Sequence, residues 1–522
     1  MFDFVIVGAG SAGCVLANRL SNGGRKVALI EAGGSQHKSL KVRAPRLYQL
    51  LWSTPIDWAF KTKPQAHCAN RSHFWPRGKL IGGTSCLNAM VYIRGNRKNY
   101  DDWGVPGWSY ADVLPYFKKS EDNVRGASEF HGAGGLLHVS NNDAPSDFAK
   151  AFVEATSAHC KVPVNDDFNG ADQEGPGHYQ STIKKGQRAS TAIAFLEPAL
   201  RRENLTVMSG AHALGLVLDG DRVKGVRIRT AKGEQTIEGN EIILAGGAIG
   251  SPHLLLLSGI GPASELKAAG VEPKHELAGV GKNLQDHLLH AVNFEAASSP
   301  NLQKAAMLWW IARFAMTGGG PLTGAALDAG AFIRSSPSAP LPDIQYHVAP
   351  FGVKLPSDHG VVNPSFGRFA CILPGLIYPK STGEICLAST DPTAPPAIDP
   401  KYFSDAADLD LLVAGVKQSR EIANTGALEQ VLGKEIYPGP EATSDEQLRD
   451  NIRAGCNTIF HPVGTCKMGT GSDAVVGPDL RVHGLRGLRV ADASIMPKIV
   501  GGNTNAPTIM IAEKCAELAL QA

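Results

Sequence analysis

The sequence predicts an α/β fold that begins with a Rossmann-like dinucleotide-binding unit. Four apolar residues, Phe4–Val7, run directly into the pattern G-x-G-x-x-G at Gly8–Gly13, and Ser11–Leu20 have helical spacing. A second apolar strand, Val27–Ile30, ends at Glu31. A glycine pattern alone would be weak support in a chain with 58 Gly. Strand, glycine turn, helix, strand and acid in this order are typical of a dinucleotide site.

Each part of this unit has a physical role in holding a dinucleotide. Gly8 permits the tight turn, Gly10 lets the backbone approach the pyrophosphate, and Gly13 lets the helix pack closely on the strand. The helix N-terminus offers free N–H groups and a positive dipole end to the phosphates. The carboxylate of Glu31 can accept hydrogen bonds from ribose hydroxyls.

Length and composition set the broad class. The 522 residues are too many for one simple core and predict two or three domains. A net charge of +2 with no long run of either sign gives no basic footprint for nucleic acid. The nine cysteines are scattered without C-x-x-C, so neither a disulfide framework nor a zinc or other metal site is expected. Because no secretory signal or membrane-spanning apolar run is visible, a cytoplasmic location is expected.

A second glycine-rich stretch follows at Gly82–Gly83. The two glycines remove side chains where backbone must come close to a ligand, and Thr84, Ser85 and Asn88 supply short donors and acceptors. An ordinary glycine turn before an amphipathic helix explains the stretch equally well.

Strand signals return between Leu205 and Ile228 and predict a β-meander. The stretch Ala245–Pro252 is also rich in glycine, but no second strand ending in an acid follows it. The chain therefore shows one dinucleotide site.

The segment 302–316 contains Trp309 and Trp310 among apolar residues, with Lys304 and Arg313. This composition suits a helix in a bilayer interface. A helix buried between domains or lining an apolar substrate pocket has the same composition. Both interpretations stay open.

Three helices are predicted towards the C-terminus, and the last 70 residues carry the densest chemistry. Helical spacing covers residues 405–424 and 445–454, and Pro507 suits the first turn of a helix that reaches Leu520. His461 precedes a proline in a turn-rich stretch, although a lone His is more often structural. Asp492 follows a short strand, where ligands of open α/β sheets bind.

Five stretches together resemble the glucose–methanol–choline (GMC) oxidoreductase family. They are the N-terminal unit with Glu31–Gly33, Gly78–Asn88, Gly247–Gly261, Gly279–His287, and the C-terminal block around His461. The resemblance covers nearly the whole chain. It is strongest to bacterial aliphatic alcohol dehydrogenases and choline dehydrogenases, which carry segments like Ala89–Gly95.

The resemblance implies a Rossmann-like FAD-binding domain (1–100, 188–290 and 455–522) and a discontinuous substrate-binding domain on an antiparallel sheet plus helices (101–187 and 291–454). It implies non-covalent FAD, because Leu87 stands where some members carry the His that links the flavin. His461 and Asn503 match the family's catalytic pair. The residues implied to hold FAD are Gly8, Gly10, Ser11, Ala12, Gly13, Glu31, Ala32, Gly82, Gly83, Thr84, Ser85, Asn88, Ala89, Met90, Val91, Ala213, Asp492, Ala493, Asn503 and Thr504.

The expected reaction is oxidation of a primary alcohol, with His461 as general base and the hydride passed to flavin N5. A quinone or another acceptor would take the electrons, and association with the inner face of the membrane would suit a quinone. The alternatives are an oxidase that uses O₂, a choline dehydrogenase, or a redox-silent cyanohydrin lyase. The apolar 302–316 segment and Phe332–Ile333 favour an uncharged, apolar alcohol, since choline would need an aromatic or acidic environment.

Overall fold

The computed structural model describes residues 1–142, 145–296, 304–350, 352–354, 363–365 and 369–521. Within these ranges the α-helices, numbered along the chain, are α1 Ser11–Ser21, α2 Leu40–Arg43, α3 Arg97–Asp101, α4 Tyr110–Ser120, α5 Asp147–Cys160, α6 Glu197–Ala199, α7 Gly247–Leu257, α8 Ala263–Ala268, α9 Lys304–Thr317, α10 Ala406–Ala423, α11 Gly426–Val431, α12 Asp445–Gly455 and α13 Asn505–Leu520. Short 3₁₀ turns lie at Gln36–Lys38, Pro45–Leu51, Gly83–Cys86 and Ala493–Ile495, and a π-helical turn at Ala192–Leu196.

The β-strands in the described ranges are β1 Phe2–Val7, β2 Val27–Glu31, β3 Phe60–Lys61, β4 Phe74–Trp75, β5 Glu121–Asn123, β6 Leu137–Val139, β7 Gly175–His178, β8 Ile183–Lys184, β9 Gln187–Arg188, β10 Leu205–Ser209, β11 His212–Asp219, β12 Arg222–Thr230, β13 Gly233–Leu244, β14 Ile260–Gly261, β15 His275–Glu276, β16 Leu288–Leu289, β17 Val292–Glu295, β18 Ala329–Ile333, β19 Ile344–Ala349, β20 Gly352–Lys354, β21 Asn363–Ser365, β22 Phe369–Leu376, β23 Glu384–Cys386, β24 Ala397–Asp399, β25 Glu435–Tyr437, β26 Asn457–Thr458 and β27 Leu488–Val490.

The first large sheet has the order β10-β2-β1-β13-β12-β11, with β27 also paired to β13. Strands β1 and β27 pair in parallel with the second half of β13. Strand β2 pairs in parallel with β1, and β10 with β2. The buried apolar residues of β1 and β2 suit a sheet that is covered on both faces. Helix α1 covers one of these faces and packs against α13. The Rossmann-like unit is therefore confirmed.

The predicted β-meander is partly wrong. Strands β11, β12 and β13 do form consecutive antiparallel pairs. Strand β10 instead pairs in parallel with β2, with Leu205 opposite Val27. A short apolar strand carries no mark of its partner, because side-chain alternation is the same in parallel and antiparallel sheets.

The second large sheet is antiparallel and has the order β25-β17-β22-β19-β18-β7, extended by β16 and β26. Helices α5 and α10 pack on it. Helices α10, α12 and α13 match the predicted spans to within three residues, and the N-termini of α10 and α12 follow ordinary capping rules. Asp405 accepts a hydrogen bond from the N–H of Ala407, and Ser444 forms a capping box with Gln447. None of the described helices combines the length and apolar character needed to cross a bilayer.

Candidate active site

A cavity of about 630 Å³ connects the N-terminal glycine turn with the C-terminal block. Most of the predicted site residues line it: Gly8, Gly10, Ser11, Ala12, Glu31, Ala32, Gly83, Thr84, Asn88, Ala89, Met90, Val91, Ala213, His461, Asp492, Ala493, Asn503 and Thr504. The fold thus brings together residues nearly 500 positions apart in one continuous space.

Three predicted cofactor residues lie behind the cavity wall. A Cβ on Gly13 would lie 1.8 Å from the carbonyl oxygen of Gly8, so this glycine serves helix packing. Gly82 has φ +97°, and a Cβ there would meet Cys86 at 2.5 Å. The hydroxyl of Ser85 donates to the carbonyl of Gly82 and accepts from the N–H of Thr191. Gly82 and Ser85 shape a 3₁₀ turn, not the start of an amphipathic helix.

The N-termini of two long helices meet at the cofactor end of the cavity. Helix α1 begins after Gly10 and helix α13 after Thr504, and neither has a side-chain cap. The hydroxyl of Ser11 donates to Asn505 Oδ1 at 2.7 Å and joins the two ends. Because free N–H groups and positive dipole ends converge here, this end suits a pyrophosphate.

Glu31 lines the cavity, but its carboxylate already holds the turn together. Its oxygens accept hydrogen bonds from the N–H groups of Ala9 at 2.9 Å and Gly33 at 2.8 Å. Burial raises its pKa to about 7, against the effect of these hydrogen bonds. Each oxygen keeps a second lone pair that can accept from a hydroxyl group.

Asp492 likewise borders the cavity with its carboxylate engaged. One oxygen accepts from the N–H of Gly247 at 2.8 Å and from the hydroxyl of Ser251 at 2.6 Å, and the other accepts from Ser494. Burial raises its pKa. The carboxylate of Asp492 fixes the start of α7 against β27. Both of its oxygens are already hydrogen-bonded within the protein, so direct contact with the cofactor stays a prediction.

At the opposite end, His461 receives a defined tautomer from its neighbours. His287 Nε2 lies 3.0 Å from the carbonyl of Ile377, which can only accept, so Nε2 carries the proton. His287 Nδ1 then accepts, and it lies 3.0 Å from Nδ1 of His461. His461 Nδ1 is therefore protonated, and its Nε2 presents a lone pair.

A second chain of hydrogen bonds fixes Asn503 from the other side. The Tyr179 hydroxyl donates to the carbonyl of Tyr346 at 2.8 Å and accepts from Gln345 Nε2 at 3.2 Å. The same Nε2 donates to Asn503 Oδ1 at 3.3 Å. The amide nitrogen of Asn503 consequently faces His461 Nε2, at 3.2 Å. The backbone carbonyls of Ile377 and Tyr346 thus determine the direction of every hydrogen bond in the two chains that lead to His461.

The backbone and the charge of His461 are controlled as well. Its N–H donates to Asp286 Oδ1 at 2.8 Å, and Arg77 donates to the carbonyl of Phe460 at 2.6 Å. Burial, the rings of His287 and His347, and the guanidinium of Arg77 hold the pKa of His461 well below its ordinary 6.5. His461 is therefore neutral near pH 7.

His347 is a third imidazole at this end, and no sequence pattern pointed to it. It is buried on β19, lines the cavity, and has no hydrogen-bond partner among the described residues. Burial lowers its pKa to about 4. His287 could have been found from the sequence, since it ends the family-like stretch Gly279–His287, but its contact with His461 spans 174 residues.

The apolar part of the wall differs from the prediction. Leu289, Leu327 and Leu373 line the cavity. Phe332 and Ile333 do not, because they are buried in separate clusters behind it.

One buried group elsewhere has metal-ligating side chains. Cys68, His73 and Cys456 have ligand atoms within 4.8 Å of one another, and the two sulfurs are 3.8 Å apart. Arg71 donates to the carbonyls of Arg453 and Cys456 and places a positive charge beside both thiols. That positive charge repels a divalent cation and therefore disfavours metal binding at these three side chains.

Comparisons with known proteins agree with this geometry. Residues 2–289 and 379–512 match the N-terminal and C-terminal domains of the GMC oxidoreductases. The chain belongs to the GMC oxidoreductase family. This GMC oxidoreductase is 42% identical to the alcohol dehydrogenase [acceptor] of Pseudomonas putida, over 99% of this chain and 95% of that protein. It is 41% identical to the mitochondrial choline dehydrogenase of Homo sapiens, over 99% of this chain and 89% of that protein.

Solved structures show the same fold. Pyridoxine 4-oxidase from Mesorbium loti superposes with a TM-score of 0.91 at 32% identity, and both chains are covered completely. Formate oxidase superposes with a TM-score of 0.90 at 27% identity, over 100% of this chain and 98% of that chain. FAD is the cofactor of this GMC oxidoreductase. The residues present fit it, since the side-chain-free turn and the two uncapped helix ends suit its pyrophosphate.

Proposed function

We propose that this GMC oxidoreductase is an alcohol dehydrogenase that oxidises an uncharged, apolar primary alcohol to the aldehyde. The lone pair of His461 Nε2 carries this proposal. The His461 ring lines the cavity, and its tautomer is fixed by His287. The amide donor of Asn503 lies 3.2 Å from its Nε2. A neutral base beside a fixed donor is what removal of a hydroxyl proton requires.

In the proposed mechanism the alcohol oxygen binds within hydrogen-bond reach of both His461 Nε2 and the Asn503 amide, which are 3.2 Å apart. His461 Nε2 accepts the hydroxyl proton, and its Nδ1–H continues to donate to His287. The Asn503 amide donates to the oxygen and stabilises the negative charge that develops there. FAD, when bound, supplies the acceptor for the hydride of the carbinol carbon.

The charges around the cavity support an uncharged substrate. Glu31 and Asp492 are the two carboxylates among the described lining residues, and both are engaged near the glycine turn and α7. No other described lining side chain offers a carboxylate to a quaternary ammonium group. Leu289, Leu327 and Leu373 supply apolar contact, as do the aromatic rings of Tyr48, Trp52 and Phe460.

Non-covalent FAD and the two-domain division belong to the same proposal. Leu87, a cavity-lining residue, has no nucleophilic atom for a flavin bond. Acid precipitation should therefore release FAD into the supernatant, and a flavin that stays with the pellet would contradict this. The two large sheets support the proposed ranges 1–100, 188–290 and 455–522 against 101–187 and 291–454, except that the short strands β16 and β26 join the antiparallel sheet from the first set of ranges.

Anaerobic reduction tests the substrate class. Short alkanols, long alkanols, benzyl alcohol and choline would be mixed with the oxidised holoenzyme while the flavin absorbance is followed. We expect bleaching with the long alkanols at the lowest concentrations and little with choline. Efficient bleaching by choline would overturn the uncharged substrate, and no bleaching by any alcohol would favour a redox-silent lyase.

The electron acceptor is proposed to be a quinone, and peripheral membrane contact through segment 302–316 would give access to it. Two structural relatives named above are oxidases, which favours O₂ as the second candidate. Turnover in air with and without a soluble quinone separates the two, because only the oxidase forms stoichiometric peroxide.

A further inference from the structure

Helix α9 has two different apolar faces. On one face Met307, Trp310, Ile311 and Phe314 pack against Ala44, Leu47 and Leu322. On the other, Leu308 is 71% exposed, Trp309 60% and Met316 71%. The helix is thus anchored to the protein and still presents large apolar side chains to the outside. Residues 302 and 303 of the predicted segment lie outside the described residues.

The exposed side chains of α9 are concentrated on one part of the surface. Leu50, 54% exposed, lies on the 3₁₀ turn Pro45–Leu51 that packs against α9. These four are among only ten large apolar side chains that are strongly exposed in the described part of the chain. Scattered single exposures are ordinary, whereas a cluster on a soluble protein marks an interaction surface.

The charges around this cluster are predominantly basic. Three segments meet here: 32–56, 183–196 and 304–327, which together contain nine Lys or Arg and no Asp or Glu. Arg43 donates to Gln187, Arg188 donates to the carbonyl of Val42, and Gly186 lies against Thr323, so the segments are in contact.

The basic side chains at the rim of the cluster are available. Lys41, Arg46, Lys185 and Arg313 are exposed and form no ion pair with the described residues. Glu197 is the nearby carboxylate, and it is already paired with Lys38 at 2.6 Å and His37 at 2.8 Å.

We propose that this α9 surface, defined by Leu50, Leu308, Trp309, Met316 and the rim of Lys41, Arg46, Lys185 and Arg313, docks on an anionic lipid bilayer. Apolar side chains would enter the interface while the rim contacts the headgroups. Tryptophan suits this depth because its ring is apolar and its N–H is polar. A protein partner would need acidic groups at every rim position, whereas a lipid surface supplies them without a specific pattern.

Docking in this orientation has a consequence that rests on the proposed function. The turn Pro45–Leu51 also contributes Tyr48 and Gln49 to the wall of the cavity. One short element therefore separates the bilayer from the active site. An apolar alcohol or a lipid-soluble quinone would pass between the membrane and the cavity over a short distance.

The experiment is co-sedimentation of the FAD-loaded protein with vesicles of phosphatidylcholine, with and without phosphatidylglycerol. We expect binding to the mixed vesicles, loss of most binding at about 0.5 M salt because charges are screened, and weak binding to phosphatidylcholine alone. Leu308→Ser/Trp309→Ser/Met316→Ser should lower the bound fraction at least about tenfold. The matched control, Leu200→Ser/Ile436→Ser, removes exposed apolar side chains elsewhere and should bind as the wild type does.

The rim is tested separately by Lys41→Gln/Arg46→Gln/Lys185→Gln, which should lose the preference for phosphatidylglycerol. Arg25→Gln/Lys232→Gln/Lys434→Gln is the control for total charge. Equal sedimentation of the wild type and the triple serine variant would overturn the proposal. A vesicle-independent dimer that the serine variant loses would also overturn it, in favour of a contact between copies.

Turnover of a short, water-soluble alcohol with a water-soluble dye should be unchanged in both surface variants. Turnover of a long alkanol with a vesicle-embedded quinone should fall with the bound fraction. If the wild type binds vesicles but oxidises no alcohol, the proposed function fails and the docking surface stands. If it oxidises alcohols but never binds vesicles, the docking surface fails and the proposed function stands.

Discussion

The two ends of the cavity are built in opposite ways. The cofactor end is built mainly from the backbone of one contiguous stretch, Gly8–Glu31, which the N-terminus of α13 joins from the far end of the chain. The end that we propose to be catalytic consists of side chains from separate parts of the chain, where His461 contacts His287 and Asn503. A site made of backbone tolerates many side chains but no extra atom at its glycines. A site made of side chains depends on each polar group.

The largest effect is expected where the backbone leaves no space. Gly13→Ala would place a Cβ 1.8 Å from the carbonyl oxygen of Gly8. Helix α1 would have to move away from β1, so we expect almost no FAD-loaded protein. Flavin absorbance per mole of purified protein measures this. Gly215→Ala is the matched control, since its nearest neighbour would be Ser258 at 3.8 Å, and an equal loss there would contradict the steric explanation.

At the catalytic end, His461→Ala should leave FAD bound and remove the reaction. We expect kcat to fall about 10²- to 10⁴-fold, as the loss of a general base typically does. Steady-state turnover with the best alcohol of the reduction screen measures it. His138→Ala, which removes a half-buried imidazole paired with Asp122, should retain wild-type kcat. Near-normal turnover of His461→Ala would remove this residue from the role.

A smaller loss is expected when the positioning residue His287 is replaced. His287→Leu leaves the Nδ1–H of His461 without an acceptor, and an unmade buried hydrogen bond costs about 1–3 kcal/mol. We expect kcat/KM to fall about 10- to 100-fold. His287→Gln should recover part of it, because its carboxamide oxygen can accept the same proton. A structural role alone would leave the pH profile of the leucine variant unchanged, whereas loss of the fixed tautomer should alter it.

The smallest predicted effect concerns pH. His461 must be neutral to accept a proton, and burial and its neighbours hold its pKa well below 6.5. A lowered pKa extends the neutral form to lower pH, so kcat/KM should not fall as pH decreases through about 6.5, where an ordinary His titrates. A decline centred on that pH in the free enzyme would show that His461 is not shielded as the structure indicates.

Helix α9 illustrates how far the sequence could be taken. Its composition left both a buried helix and a membrane-surface helix open as interpretations. The structure combines them, because Trp310 is packed against the protein while Trp309 beside it is exposed. Neighbouring residues on a helix point about 100° apart, so only the packing partner decides which of the two is covered.

The sequence by itself predicted the dinucleotide unit and the family, since these depend on contiguous patterns, and the family resemblance singled out His461 and Asn503 as the candidate catalytic pair. It overestimated what Ser85, Gly82 and Phe332 contribute to the cavity, because a residue's neighbours in sequence do not show on which side of the wall its side chain lies. Only the tertiary structure decided the tautomer of His461, through His287 on one side and Gln345 on the other. The physical reason is that a hydrogen-bond direction is set by partners in space, and those partners come from distant parts of the chain.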